Sequence, residues 1–144
     1  TISLGKTRKN LVEFHTCHKM LILAHSEKHY RAMGKLVANP KKFKIKDLYD
    51  EYENLLLECL RLKTTVAKNV NVLQHAMGFF KKVLSPDEKQ ELLEIIGLYR
   101  KRLLPLIVPI TLINHYTRKY QEPYLGKQYY LCPNPVELQL RNHV

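Results

Sequence analysis

Residues 66–84 read VAKNVNVLQHAMGFFKKVL, and their apolar side chains decide the fold class. Val66, Val70, Leu73, Met77, Phe80 and Leu84 follow one another at steps of four, three, four, three and four. A helix turns once in about 3.6 residues, so the series lies along one face and predicts a helix over 66–84 with its seam against a partner. Ser85-Pro86-Asp87-Glu88 then restarts the pattern, with an N-cap hydroxyl, a proline at the first helical position and two acids in the first turn. The helix it opens is expected to turn Leu92, Leu93, Ile96, Tyr99 and Leu103 inward. Arg100-Lys101-Arg102 at its end suits the negative pole of the helix dipole.

Working outward, Thr7–His25 carries Leu11, Phe14, Met20 and Leu21 at helical spacing. Ser26 is the expected N-cap of a second helix, which Asn39-Pro40 stops. A basic loop, Lys41–Lys46, precedes a third helix over Leu48–Leu62, with Asp47 as its cap and Leu48, Tyr52, Leu55, Leu56 and Leu60 as its buried stripe. Thr64-Thr65 marks a break before residue 66. Beyond the fifth helix, Pro105 opens a sixth that ends near Tyr120, with Pro109 inside its first turns and a kink as one consequence. Residues 121–135 read as an irregular arm rich in proline and tyrosine, and Val136–Asn142 as a short closing helix. No segment alternates as a strand does. The expected fold is all-α: a single compact bundle of about six main helices over one domain, 1–144.

Composition bounds the function. The chain has 144 residues with 45% hydrophobic ones, enough for a core without disulfides or metal. Its longest uncharged apolar run, 103–113, is too short for a bilayer, which needs about 20 residues. The chain starts at Thr1 with no signal-peptide pattern, so a fragment trimmed from a longer chain is one expectation. Cys17, Cys59 and Cys132 lie far apart and form no Cys-x-x-Cys pair, and they read as reduced, mostly buried thiols of a cytoplasmic protein.

Charge is the strongest signal. Lys and Arg number 24 against 13 acids, a net charge of +11. Nine of the acids fall in two windows, Asp47–Glu58 and Asp87–Glu94, which leaves the remaining sequence one-sidedly basic. Such a chain favours polyanions, nucleic acid first and an acidic membrane surface second. Opposite the seam of 66–84, Lys68, Asn71, His75, Gly78 and Lys82 step by three and four. Glycine weakens a helix interior, so Gly78 implies close approach of a backbone, a ligand or a neighbouring helix. His115, Tyr116, Arg118, Lys119 and Tyr124, with Arg100, add cations and rings of the kind that grip phosphate and stack on RNA bases. The tyrosines could equally cover the core.

His15, His18, Lys19 and His25 form an additional polar candidate on the first helix. Histidines at this spacing permit zinc, but Glu13 and Cys17 point elsewhere around the helix, so neither metal nor cofactor is expected. No nucleophile elbow and no glycine-rich phosphate loop is present, and catalysis has no recognisable constellation.

Several stretches together resemble the bacterial YbgA-like family. They are Phe14–Lys19 with Ala24-His25, Asn71–His75 with Gly78, Ser85–Leu92, Tyr99-Arg100, Pro105–Pro109, His115-Tyr116, Pro123–Leu125, and Glu137-Leu138 with Leu140–Asn142. One departure is Arg102, near which many members carry glycine. The resemblance implies a domain of unknown function, found alone or C-terminal to an iron–sulfur desulfidase domain that acts on thiouracil or thiouridine. It therefore implies an accessory module that presents RNA, transfer RNA (tRNA) most of all, to a sulfur-removing partner. The alternatives are an enzyme of unrecognised type with a histidine-lined cleft, and an interaction domain that docks an acidic partner.

Overall fold

The computed structural model describes residues 5–132, and all regular structure among them is helical. Six main helices form two compact units, one up to Lys63 and one from Thr64. The division falls at the Thr64-Thr65 break. No helix among the described residues is long and apolar enough to cross a membrane.

The first unit packs α1 (Arg8–His25), α2 (Glu27–Ala38) and α3 (Ile45–Arg61). Thr7 and Ser26 cap the first two, their side chains accepting from the backbone N–H three residues on. Helix α3 begins earlier than Asp47: Lys44 occupies the N-cap without a side-chain bond, and Asp47 sits in the first turn, where its charge faces the positive helix pole. Residues 40–42 form a 3-10 turn rather than an open loop. The core joins Leu11, Ile22, Met33, Leu48, Tyr49, Tyr52 and Cys59, with Leu55 and Leu56 packed partly against it. Leu60, expected inside, is exposed. It lies one residue, about 100° of helical rotation, past Cys59, which takes the buried place instead.

In the second unit α4 runs Val66–Gly78 and stops short of Leu84. The seam outlives the helix. Phe80 and Leu84 remain buried through consecutive turns over 79–84, while Met77 is only half-buried. Gly78 needs no close approach: it is the last helical residue, and a Cβ added there would meet nothing within 4 Å. Weak helix propensity at a helix end accounts for it.

Helix α5 (Pro86–Arg100) starts with a full capping box between Ser85 and Glu88. Leu92, Ile96 and Tyr99 face inward, whereas Leu93 and Leu103 are exposed. Leu93 is rotated off the stripe, and Leu103 follows the end of the helix, where its phase no longer applies. That end is a Schellman motif. Arg102 N–H donates to Tyr99 O at 2.8 Å and Leu103 N–H to Leu98 O at 2.9 Å, with Arg102 itself left-handed at φ 63°.

Helix α6 (Ile107–Lys119) closes in the same way, with Gln121 at φ 51° and Glu122 N–H donating to Thr117 O at 3.0 Å. Pro109 is the third residue of α6, where the N–H has no intrahelical partner, so it introduces no kink. The expected irregular arm, 121–135, carries regular structure within its described residues. A short helix, α7 (Pro123–Gly126), and a 3-10 turn, Tyr129–Leu131, bury Leu125, Gln128, Tyr130 and Leu131. The expected closing helix, 136–142, lies outside the described residues.

Left-handed backbone costs a residue with a Cβ roughly 1–2 kcal/mol, and glycine escapes that cost. Gln121→Gly and Arg102→Gly should therefore each stabilise the protein by about 1 kcal/mol, read as a higher midpoint in urea.

Candidate nucleic-acid interface

Two depressions in the second unit carry several of the basic side chains, and one of these, Arg118, also borders a third beside Asn114 and Thr117. The first, a cleft of about 450 Å³, is lined by Val66, Ala67, Val70, Asn71 and Gln74 from α4 and by Arg100 and Arg102 from the end of α5. Thr65 fixes the start of α4 by accepting from Lys68 N–H, and one helical turn then sets Asn71 and Gln74 side by side. The Schellman turn holds Arg102 beside Arg100. Both arginines are exposed, and neither makes an ion pair among the described residues. Two guanidinium groups next to two carboxamides offer forked donors to an anion and directed bonds to its neighbours. Sequence reasoning found Asn71 and Arg100 but missed Gln74, whose signal was its spacing of three from Asn71. Since Arg102 lines this cleft, Arg102→Gly should weaken anion binding while it stabilises the fold, whereas Gln121→Gly should leave binding unchanged.

The second depression, about 600 Å³, lies between α5 and α6. Half-buried Ile95, Val108 and Leu112 make it apolar, and exposed Glu91, His115 and Arg118 surround them.

Against these surfaces, residues 19–135 match the family model described as a protein of unknown function, DUF1722. The chain is also 32% identical over 139 residues to the Escherichia coli (strain K12) protein called "Uncharacterized protein YbgA", covering 96% of this chain and 82% of that one. This chain belongs to the DUF1722 family. No solved structure matches it. The matched span contains every residue of both depressions.

Other sequence-derived site residues fall elsewhere. Lys68 is half-buried on α4, and His75 is exposed one residue past Gln74. Lys82 follows the end of α4, so it does not continue the Asn71–His75 face. Lys119 is engaged: its ammonium donates to Glu88 Oε2 at 2.8 Å, and the Tyr120 hydroxyl donates to the same carboxylate. Those two bonds, with the backbone N–H of Ser85, hold the Glu88 carboxyl down to about 2. Tyr116 is 2% exposed, its hydroxyl donates to Glu91 Oε1 at 2.7 Å, and its ring meets Phe80 edge-on. It cannot stack on a base. Tyr124 already lies parallel to Phe79, with ring centroids 4.5 Å apart, so one of its faces is covered.

The first-unit histidines serve separate purposes and do not form one site. His15 is buried, shares a 2.9 Å hydrogen bond with the Tyr52 hydroxyl through Nδ1, and has no partner at Nε2 among the described residues. Burial, then the nearby charges of Lys19 and His18, lowers its pKa to about 4. Burial also pushes the Tyr52 hydroxyl well above its ordinary range. His18 stacks on Phe14 and donates to its carbonyl at 2.7 Å, while Lys19 is half-buried. His25 Nδ1 donates to Leu62 O at 2.7 Å. His29 bridges Ser26 Oγ and Glu58. Among the described residues no three His, Cys, Asp or Glu side chains converge as metal ligands would. The three cysteines are free thiols, but only Cys59 is buried as expected; Cys17 is half-buried and Cys132 exposed. An enzyme built on a shifted histidine would need that group in an open pocket. His15 lines neither depression.

Proposed function

We propose that this protein is a basic helical module that binds RNA, transfer RNA above all, through the cleft of Asn71, Gln74, Arg100 and Arg102. One observation carries the reading: two arginines that make no ion pair among the described residues flank two carboxamides in a single concavity, in a chain of net charge +11. The guanidinium groups neutralise phosphates, and the amides bond to sugar or base edges. Presentation of the bound RNA to a sulfur-removing desulfidase partner, as a domain or a separate protein, is the extension suggested by the YbgA-like resemblance. His75 and Lys82 are exposed and available as outlying contacts, whereas Lys119 must first leave Glu88.

The test is binding of labelled tRNA, duplex DNA and heparin over a salt series. RNA recognition requires tRNA to bind more tightly than heparin and DNA at every salt concentration, with an affinity that falls as salt rises. Equal affinity for all three would reduce the surface to general polyanion attraction. No binding at low salt would refute the reading.

A further inference from the structure

The depression between α5 and α6 offers a different chemistry from the phosphate cleft. Its floor of Ile95, Val108 and Leu112 is apolar, and charges of both signs stand around it. Glu91 already accepts one hydroxyl, from Tyr116, on Oε1, and an ionised carboxylate has sites for about four hydrogen bonds. On the facing helix Arg118 makes no ion pair among the described residues. Its volume of about 600 Å³ lies within the roughly 300–1,000 Å³ range of small-molecule sites. A fitting occupant is flat and largely apolar in the middle, with a hydrogen-bond donor at one edge and an anion at another.

We propose that this depression takes one unstacked nucleotide whose base carries an exocyclic amino group. The amine donates to Glu91, the face of the base lies on Ile95 and Leu112, and the phosphate meets Arg118, with His115 beside it. The proposal rests on the RNA reading for the source of that nucleotide. Cytosine, adenine and guanine present an amino donor to a carboxylate, whereas uracil presents carbonyl oxygens on either side of its one ring N–H. The site thus discriminates against uridine by leaving an acceptor facing an acceptor. Flipped bases in other proteins are held by the same pairing of apolar faces with edge hydrogen bonds.

The experiment titrates the full chain with the four nucleoside 5′-monophosphates and with inorganic phosphate at millimolar concentrations, followed by amide chemical shifts. Cytidine, adenosine and guanosine monophosphates should perturb residues 91–95 and 107–118. Uridine monophosphate should bind about fivefold more weakly, the lower end of what a directed base-edge pairing supplies. In Glu91→Gln, which can still accept from Tyr116, the uridine penalty should largely vanish, because a carboxamide also donates. Arg118→Gln, at an exposed position, should weaken all four nucleotides together. Equal binding of uridine monophosphate to the parent would overturn the proposal, as would unchanged selectivity in Glu91→Gln or no perturbation by any nucleotide. If tRNA still binds in those cases, only the base pocket falls; if tRNA fails as well, the RNA reading falls with it.

Discussion

Acidification from pH 7 to pH 4 should cost the fold about 3 kcal/mol through His15 alone. The ring is 2% exposed and bonded through Nδ1 to Tyr52, and among the described residues its Nε2 has no partner to stabilise a second proton. In the unfolded chain the imidazole titrates at its ordinary 6.5, against about 4 when folded. Between those values the unfolded chain binds a proton that the folded chain refuses. Stability is therefore complete above pH 6.5, falls as pH falls through the window, and levels off below 4. Glu88 acts in a lower window: its folded value of about 2 lies beneath the ordinary 4.5, so its contribution is lost between those limits as acid is added. The measurement is the urea midpoint against pH for the parent and His15→Gln. The stability difference between them should change by about 3 kcal/mol from pH 7 to pH 4. A difference that stays constant with pH would mean that His15 is not buried and neutral.

Asn69→Leu should destabilise the protein by a similar amount, about 3 kcal/mol. Asn69 is 1% exposed and joins two buried tyrosines: Oδ1 accepts from Tyr130 at 2.6 Å, and Nδ2 donates to Tyr99 at 3.2 Å. Leucine matches its volume but leaves both hydroxyls buried beside a methyl group, each at a desolvation cost of roughly 1–3 kcal/mol. The loss also frees the turn at Tyr129–Leu131, so trypsin should cut at exposed Lys127 faster than in the parent. A variant as stable as the parent, with unchanged cleavage, would contradict the network.

Local signals made much of this fold legible. Ser26 and Ser85 declare helix starts because a cap is a short-range bond, readable from a hydroxyl and the residues that follow it. The seam of α4 is legible because its period is strict. Lys44 starts α3 with no side-chain bond and so leaves no cue, which made Asp47 look like the cap. Arg102 and Gln121 hide two left-handed helix ends, since neither is the glycine that would announce one. Asn69 sat in an apolar series as an ordinary polar residue, because its tyrosines lie 30 and 61 positions away.

The candidate site divides in the same way. Residue types pointed to Asn71 and Arg100, but only tertiary packing brings them into one cleft and assigns His115 and Arg118 to another. Adjacency in sequence misplaced Tyr116, which turns about 100° from His115 and faces the core. Lys119 counts as a cation in composition, yet it is ion-paired to Glu88, on a different helix.

The most direct measurement of the central claim is the salt dependence of tRNA affinity for the parent and for Arg100→Gln/Arg102→Gln. If both guanidinium groups hold phosphates, the double variant should bind more weakly. Its slope of log affinity against log salt should be shallower by about two ions' worth. Melting should confirm that it remains folded. Unchanged affinity and slope in a folded double variant would show that the cleft does not grip the RNA backbone.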